Sequence, residues 1–442
     1  MATLTTAREL EVLRNRGRIP AASRPHPDET GGARGLEWGL VKALLLENIH
    51  PDAARLLESE GIEVETRKGA LDETELIEAL EGIDLLGIRS KTQVTRKVLE
   101  ARPDLVSVGA FSIGTNQIDL EAAAETSTVC FNAPYSNTRS VVELAIGEII
   151  NLARHLGDHS RKMHEGLWDK TAKGSHEVRG RTLGIVGYGN IGSQLSVLAE
   201  SLGMRVYFFD IVDRLALGNA VRCNTLEELL ETVETVSIHV DGRPENTNLF
   251  DRETFAMMRP RSLFLNLSRG HVVDHEALRE ALLSGHLAGA GIDVFPVEPK
   301  KAGDPFESVL QGIPNVILTP HIGGSTAEAQ EDIGRFVASK FRDYVTTGST
   351  YMSVNLPEIQ LEPMRDGARL LHLHRNEPGV LAKVNSVLGE HGVNIDRQQL
   401  ATRDGYGYVV TDCANGIPED AIEAIRALPA TTRLTAIGDV RF

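Results

Sequence analysis

The sequence has few cysteines, few aromatic residues and no long apolar run, and each shortage excludes a class of protein. Its three cysteines (Cys130, Cys223 and Cys413) are far apart and form no CxxC pair. A disulfide scaffold and a metal site are therefore not expected, and three reduced thiols in a cytoplasmic protein are the simplest interpretation. No apolar run reaches the roughly 18 residues of a membrane span.

Positive charge is also in short supply. The 442 residues include 46 Lys and Arg against 62 Asp and Glu, which gives a formal net charge of −16. This balance argues against nucleic acid or an anionic membrane as a partner. An anionic ligand would need a local cluster of basic residues. The length exceeds that of one ordinary hydrophobic core, so two or three domains are expected.

Residues 1–38 differ from the rest of the chain. Arginines alternate there with acidic residues, and prolines and glycines follow. Without an apolar h-region, a secretory signal is not expected. We predict a disordered tail, and an Arg-rich transit peptide stays open as the alternative.

The remainder predicts an α/β protein with two doubly wound parallel sheets and a smaller third domain. Short apolar runs alternate with helical segments over 39–136 and again over 137–323, as in parallel sheets covered by helices. A helical stretch after residue 324 is expected to cross back to the first domain, and 324–365 would end in a polar linker. Residues 366–442 read as βαββαβ, a ferredoxin-like order.

The stretch 182–210 carries the most specific local pattern, which is strand, glycine turn, helix, strand and acid. Gly187 permits a tight turn, Gly189 lets the backbone approach a pyrophosphate, and Gly192 allows close packing of helix on strand. Asp210 follows Gly192 by 18 residues, where a carboxylate can bind a ribose diol and repel a 2′-phosphate. The pattern predicts a dinucleotide site that favours NAD over NADP.

Three further polar residues follow strand-like segments of the same domain. Arg269 could grip a carboxylate through two parallel hydrogen bonds. His321, with a carboxylate partner such as Glu298, would be a general acid and base whose pKa is raised. Each residue alone has a structural explanation as a surface charge, a loop residue or a buried histidine. Their joint occurrence after a dinucleotide pattern favours catalysis.

The motifs GYGNIG (187–192), NLSRG (266–270), GIDVFPVEP (291–299) and TPHIGGST (319–326) resemble those of the D-2-hydroxyacid dehydrogenases, and the similarity runs from about residue 42 to the end. The resemblance implies a Rossmann-type NAD domain inserted into a flavodoxin-like substrate domain. It implies that Arg269 holds the substrate, that His321 takes the hydroxyl proton and that Glu298 pairs with His321. The residues it implies at the cofactor are Gly187, Gly189, Asn190, Ile191, Gly192, Asp210, Leu267, Ser268, Asp293, Gly323 and Gly324.

Within that family the chain is most like the shorter bacterial-type members that act on 3-phosphoglycerate. The resemblance places the substrate's phosphate and carboxylate near Lys68, Arg89, Ser90 and Lys91, and it brings Lys170 from a neighbouring subunit. Lys91 keeps a positive charge without the fork of an arginine. Ordinary surface charges remain an equal alternative on sequence alone.

The last segment resembles an ACT domain, a module that binds small regulatory ligands. The resemblance implies an L-serine site at His374, Asn376 and Asn394, and a homotetramer formed through NAD-domain and ACT-domain contacts. Three alternatives stay open. The protein could act on another D-2-hydroxy acid (glyoxylate, glycerate or 2-hydroxyglutarate), it could be a non-catalytic NADH sensor, or the ACT domain could serve only in oligomerisation.

Overall fold

A computed structural model describes residues 41–299, 303–364, 366–438 and 440–441. The predicted tail over 1–38 lies outside these residues. Most helices begin where a short polar side chain accepts a backbone N–H, which satisfies one of the free donors of the first turn. The residues that do this include Asp72, Thr95, Asp119, Thr225, Asp251, Asp274 and Thr326.

The first domain is built on a five-stranded parallel sheet in the order β2-β1-β3-β4-β5. Three of these strands, β3, β4 and β5, are buried along their whole length, as expected where helices cover both faces. The order is that of flavodoxin-like folds. The elements are β1 (Lys42–Leu45), α1 (Pro51–Ser59), β2 (Glu63–Thr66), α2 (Glu73–Ala79), β3 (Leu85–Ile88), α3 (Arg96–Ala101), β4 (Ser107–Ala110), α4 (Leu120–Glu125) and β5 (Val129–Phe131).

The second domain is built on a seven-stranded parallel sheet in the order β12-β11-β10-β9-β6-β7-β8. This is the Rossmann order with one strand added beyond the sixth. The elements are α5 (Thr138–Arg154), α6 (Leu156–His164), β6 (Thr182–Val186), α7 (Asn190–Ser201), β7 (Arg205–Phe209), β8 (Val221–Arg222), α8 (Leu226–Thr232), β9 (Thr235–Ile238), α9 (Arg252–Met257), β10 (Ser262–Asn266), α10 (His275–Leu283), β11 (Leu287–Ile292) and β12 (Val316–Leu318).

Helix α11 (Ala327–Thr347) returns from the second sheet to the first. It packs along α1 and across β4, where Gly109 makes room for it. A Cβ atom on Gly109 would lie 2.5 Å from Val337 Cγ1 and 2.7 Å from Phe341 Cζ. The helix predicted to cross back therefore supplies part of the first domain's core.

The C-terminal domain has a four-stranded antiparallel sheet in the order β14-β15-β13-β17, with two helices on one face. Its elements are β13 (Ala368–Arg375), α12 (Val380–Glu390), β14 (Arg397–Arg403), β15 (Tyr406–Cys413), α13 (Glu419–Arg426) and β17 (Thr431–Gly438), with a short parallel pair formed by β16 (Ile417–Pro418) and β18 (Val440–Arg441).

One strand of this domain differs from its prediction. The alternation around Val393 and Ile395 predicts a strand over 393–400, but β14 begins only at Arg397. The two-residue turn Asp404-Gly405, with φ of 47° and 85°, joins β14 to β15 and fixes their register. Val393 and Ile395 instead pack beside the helices.

The predicted polar linker is packed rather than exposed. Leu356, Ile359 and Leu361 are buried in the same apolar cluster as residues of the first domain and of the C-terminal sheet. Asn355 Oδ1 accepts from the Cys130 amide at 2.9 Å, and Asn355 Nδ2 donates to Thr128 O at 2.8 Å, so the side chain pairs with the edge of β5. The segment joins the two domains through a shared core.

Among the described residues, no helix has the length and apolarity to cross a membrane. The three cysteines are buried and unpaired. Over the same residues, no group of three or more acidic, histidine or cysteine side chains is placed to hold a metal ion.

Candidate active site

The polar residues singled out in the sequence lie at the carboxyl ends of parallel strands, where open α/β sheets bind ligands. In the second domain these ends carry the glycine turn, Asp210, Arg269, Asp293 and His321. The carboxyl edge of the first sheet faces them. A Cβ atom on Gly114, which follows β4, would lie 4.0 Å from Arg269 Nη2. The two edges therefore form one cleft.

The glycine turn is shaped for an anion. Gly187 has φ of 91°, and a Cβ there would lie 2.7 Å from His239 O. A Cβ on Gly192 would lie 2.3 Å from Gly187 O, so helix α7 could not approach the strand with a larger residue. Around a Cβ atom placed on Gly189, by contrast, no atom of the described residues other than its chain neighbours lies within 4 Å. No side chain caps α7, so the amides at Asn190 and Ile191 face this open space, as a pyrophosphate requires.

Asp210 lies at the end of β7, next to the turn. Its Oδ2 accepts from the Tyr188 amide at 2.8 Å and its Oδ1 accepts from the Val212 amide at 2.8 Å. Arg214 Nε lies 3.7 Å from Asp210 Oδ2. A carboxylate has about four acceptor sites, so the two amide bonds orient Asp210 and leave capacity for ribose hydroxyls. The turn and this acid fit an NAD molecule.

His321 and Glu298 form an ion pair beside the cleft. His321 Nδ1 lies 2.9 Å and 3.1 Å from the two carboxylate oxygens. The hydrogen bond that His321 donates to the Glu298 carboxylate raises the pKa of His321, and burial works in the opposite direction. Burial works to raise the pKa of Glu298, but the bonds from His321 and the Phe295 amide prevail, and its pKa is lowered. Both shifts favour the charged pair.

The backbone of His321 is in the left-handed region, with φ of 53°. Such a conformation is uncommon outside glycine and needs support from its surroundings. Asp293, which is buried, supplies it. The Asp293 carboxylate accepts from Thr319 Oγ1 at 2.6 Å, from the Ile322 amide at 2.8 Å and from the Gly323 amide at 2.8 Å. The structure shows Asp293 fixing the His321 loop, and the cofactor contact that the resemblance implies for it stays a prediction.

The turn that carries Arg269 is also fixed by a buried side chain. Asn266 Oδ1 accepts from both the amide and the hydroxyl of Ser268 at 3.0 Å, and Asn266 Nδ2 donates to Arg269 O at 3.0 Å. The positive charge of Arg269 works to lower the pKa of His321, against the larger effect of Glu298. It also helps to lower the pKa of Glu298. The Arg269 charge therefore acts on both members of the pair.

The predicted phosphate residues lie on the opposite side of the cleft. The side chains of Lys68, Arg89 and Lys91 form no ion pair within the part of the chain that the structure describes. Gln117 Nε2 donates to both Arg89 O and Gly114 O, and Gly114 is the residue that faces Arg269. The Ser90 amide is not free, because it donates to Glu47 Oε2 at 3.1 Å. The amide is therefore occupied while the Ser90 hydroxyl could still reach a ligand, and the place of Ser90 at the substrate stays a prediction.

Comparison with known proteins gives the family. The profile described as D-isomer specific 2-hydroxyacid dehydrogenase, NAD binding domain, matches residues 146–323, and that of an AHAS small subunit-like ACT domain matches residues 370–433. D-3-phosphoglycerate dehydrogenase of Escherichia coli K12 is 49% identical over 401 residues, which cover 90% of this chain and 98% of that protein. The chain belongs to the D-isomer specific 2-hydroxyacid dehydrogenase family. It is an NAD-dependent oxidoreductase.

Other members of the family agree with this assignment. D-3-phosphoglycerate dehydrogenase 2 of Saccharomyces cerevisiae is 45% identical, over 85% of this chain and 82% of that protein. Among solved structures, the NADPH-dependent glyoxylate/hydroxypyruvate reductase of Sinorhizobium meliloti superposes with a TM-score of 0.62 at 26% identity, over 71% of this chain and 97% of that chain.

The remaining predicted residues of this dehydrogenase lie in an exposed arm and in the C-terminal domain. Lys170 belongs to an arm, residues 165–173, that is exposed along its whole length, and it forms no hydrogen bond or ion pair with the described chain. In the ACT domain, Asn376 and Asn394 are exposed, whereas His374 is buried with its Nε2 unpartnered. The L-serine site at these three residues stays a prediction.

Sequence reasoning missed Glu47, Gln117 and Asn266. All three are buried and polar. Glu47 and Asn266 follow or end an apolar strand at the cleft edge, the same signal that identified Arg269 and His321, whereas Gln117 lies further along the loop after β4. Their partners, however, are mostly backbone groups, and Glu47 and Gln117 bond to strand ends 28–45 residues away in the chain. Such partners are fixed only when the sheet is assembled.

Proposed function

We propose that the protein oxidises the 2-hydroxyl of 3-phospho-D-glycerate with NAD, giving 3-phosphohydroxypyruvate, the first step of the phosphorylated route to L-serine. The observation that carries the proposal is a set of three cations, Lys68, Arg89 and Lys91, which form no ion pair with the described residues and lie on the cleft edge opposite the His321–Glu298 pair. In a protein with a net charge of −16, such a set suits a second anionic group at the far end of a hydroxy acid. The names of the E. coli and yeast relatives support it.

The catalytic groups divide the work between anchoring and proton transfer. Arg269 binds the substrate carboxylate through its planar fork. Because His321 Nδ1 is engaged by Glu298, Nε2 is the ring nitrogen that accepts the hydroxyl proton. NAD, when bound at the glycine turn, supplies the hydride acceptor for C2. Glu298 stabilises the imidazolium, which returns its proton in the reverse reaction.

L-serine is proposed as a feedback inhibitor bound at the ACT domain, and a homotetramer as the working assembly. The exposed amides of Asn376 and Asn394 can pair with both the amino and the carboxylate group of an amino acid. Helix α6 has no buried residue. Exposed apolar side chains lie along it and the following arm, as expected of a subunit contact, at Leu156, Met163, Leu167 and Trp168.

Substrate choice is tested by steady-state assays of 3-phosphoglycerate, D-glycerate, glyoxylate and 2-hydroxyglutarate with wild type and Arg89→Met. Loss of a charged hydrogen-bond partner should raise KM for 3-phosphoglycerate by about 10- to 100-fold and leave D-glycerate turnover unchanged. Lys97→Met removes a cation of the same domain that pairs with Glu73 away from the cleft, and it should change neither. A wild type that shows no preference for the phosphorylated acid would exclude the proposal.

Catalysis itself is tested at His321. The His321→Ala variant should lose turnover by about 10²- to 10⁴-fold while binding NADH as the wild type does, which separates an enzyme from a non-catalytic sensor.

Inhibition is tested with millimolar L-serine on wild type, Asn376→Ala and the control Asn385→Ala, whose side chain pairs with Gln398. An uninhibited wild type would leave the ACT domain as an oligomerisation module.

A further inference from the structure

We infer that Glu47 is a positioning residue that sets the preference for a phosphorylated substrate without touching the substrate. The inference rests on the proposed function and names a residue that determines its specificity. Glu47 follows β1, is buried and has φ of 60°, which turns its side chain across the carboxyl end of the sheet. Its hydrogen bonds connect the two chain segments that carry Lys68, Arg89 and Lys91, the three cations of the proposed phosphate site.

The Glu47 carboxylate holds the loop after β3 by four backbone amides. Oε1 accepts from the amides of Arg89 at 3.2 Å and Thr92 at 2.8 Å. Oε2 accepts from the amides of Ser90 at 3.1 Å and Lys91 at 3.0 Å. Bonds to an ionised acceptor are the stronger kind. Four successive amides directed at one carboxylate give the loop a single conformation, and that conformation fixes where the Arg89 and Lys91 side chains begin.

The backbone of Glu47 fixes the third cation. Its amide donates to Gly69 O at 3.1 Å, and the Asn48 amide donates to Arg67 O at 3.4 Å. Lys68 lies between these two acceptors. Glu47 therefore joins the ends of the three adjacent strands β2, β1 and β3, from which all three cations project.

The four amide bonds to Glu47 also determine which cationic side chains remain available to bind a ligand. The amides satisfy the Glu47 charge, so no cationic side chain is needed to neutralise it, and Arg89, Lys91 and Lys68 stay free of ion pairs within the described chain. The same four bonds occupy the amides that a phosphate would otherwise use. A ligand must then be recognised by the cationic side chains, whose placement depends on Glu47.

The experiment compares wild type, Glu47→Gln, Glu47→Ala and the control Glu63→Gln, with 3-phosphoglycerate and D-glycerate as substrates. Glu63 is an exposed carboxylate at the opposite end of the same sheet, paired with Lys42. Glutamine keeps one acceptor oxygen, but it lacks the charge and its NH2 group cannot accept from the other two amides, so KM for 3-phosphoglycerate should rise about tenfold, and further in the alanine variant. KM for D-glycerate, kcat and the Kd for NADH should stay within about twofold in Glu47→Gln.

The outcomes separate the inference from the proposed function. A wild type that does not prefer 3-phosphoglycerate removes the proposed function. If the wild type prefers it, an unchanged KM in Glu47→Gln overturns the role of Glu47. A loss that affects both substrates equally, with a lowered Tm, overturns it too, because it shows a purely structural carboxylate. Glu47→Gln is nearly isosteric, so the test stands even if the alanine variant does not fold.

Discussion

His321 lies between two carboxylates that hold different parts of it. Glu298 binds the ring and raises its pKa, while Asp293 binds the neighbouring backbone and keeps a left-handed residue in place. Sequence patterns identified His321, Glu298 and Arg269, because each lies in a loop that follows an apolar strand, and the family resemblance added Asp293. Glu47 has the same signal but was missed, since its partners are amides of another strand end. Local spacing shows candidate residues and does not show long-range pairing.

The pH dependence of turnover should change when the ring partner is replaced. In Glu298→Gln the pKa of His321 falls, because the charged hydrogen bond that raised it is lost. Oxidation needs neutral His321, so the acid limb of the pH profile for oxidation should move to lower pH. Reduction needs the imidazolium, so the alkaline limb of the pH profile for reduction should move to lower pH as well. Maximal kcat should fall about tenfold. Profiles of kcat/KM in both directions measure this, and limbs that stay in place would contradict the role of Glu298.

At the scale of elements, strand–turn–helix units set the positions of the ligand groups. The Rossmann turn was predictable because glycine spacing encodes it locally. The start of β14 was not, since apolar residues such as Val393 suit a strand and a helix-packing loop equally well. The Asp404-Gly405 turn decided the register. Elements with a conformational marker are therefore predictable to within a few residues, and unmarked ends are not.

Two glycines of the same turn should respond differently to alanine. At Gly187 a Cβ would meet His239 O and φ is 91°, so Gly187→Ala should destabilise the protein by about 1–3 kcal/mol. Gly189 has an ordinary φ and open space, so Gly189→Ala should leave the free energy of unfolding of the NAD-free protein unchanged within about 0.5 kcal/mol.

NAD binding reports the other half of this contrast. The added methyl at Gly189 would stand where the pyrophosphate approaches, so NADH affinity should fall at least about tenfold. Chemical unfolding and NADH titration of both variants measure the two effects. Equal loss of stability in both, or unchanged NADH affinity in Gly189→Ala, would show that the open space beside Gly189 is not the cofactor site.

At the scale of the whole molecule, the C-terminal domain shares a core with the first domain. Leu371, Leu373 and Tyr408 of the C-terminal sheet lie in one apolar cluster with residues of β1, α1 and α11. The segment before that sheet read as a linker because its composition is polar. Its few apolar residues are buried all the same, which only the assembled surfaces could show.

Arg433 should be the main polar contribution to this contact. Its Nη2 donates to Pro103 O at 2.8 Å, Leu105 O at 3.0 Å and Thr126 O at 3.2 Å, all in the first domain. In Arg433→Met the carbonyls of Pro103 and Thr126 lose this donor, which should cost about 1–3 kcal/mol, whereas Leu105 O keeps the hydroxyl of Thr128 at 3.0 Å. Calorimetry should then show the C-terminal domain unfolding before the rest. The exposed Lys383→Met serves as control, and one unchanged transition in both variants would refute the contact's importance.

Helix α11 connects this contact to the chemistry. Its 21 residues form a rod of about 31 Å. At one end, Gly348 O accepts from the hydroxyl of Tyr408 in the C-terminal sheet. At the other end lies Thr326, five residues beyond His321, and its hydroxyl forms a hydrogen bond with the hydroxyl of Ser140 in α5. Tilting such a rod by about 5° about its centre moves each end by about 1 Å. Displacements of that size within an active site can change turnover by about a hundredfold, and helix α11 spans the distance from the C-terminal sheet to the segment that follows His321.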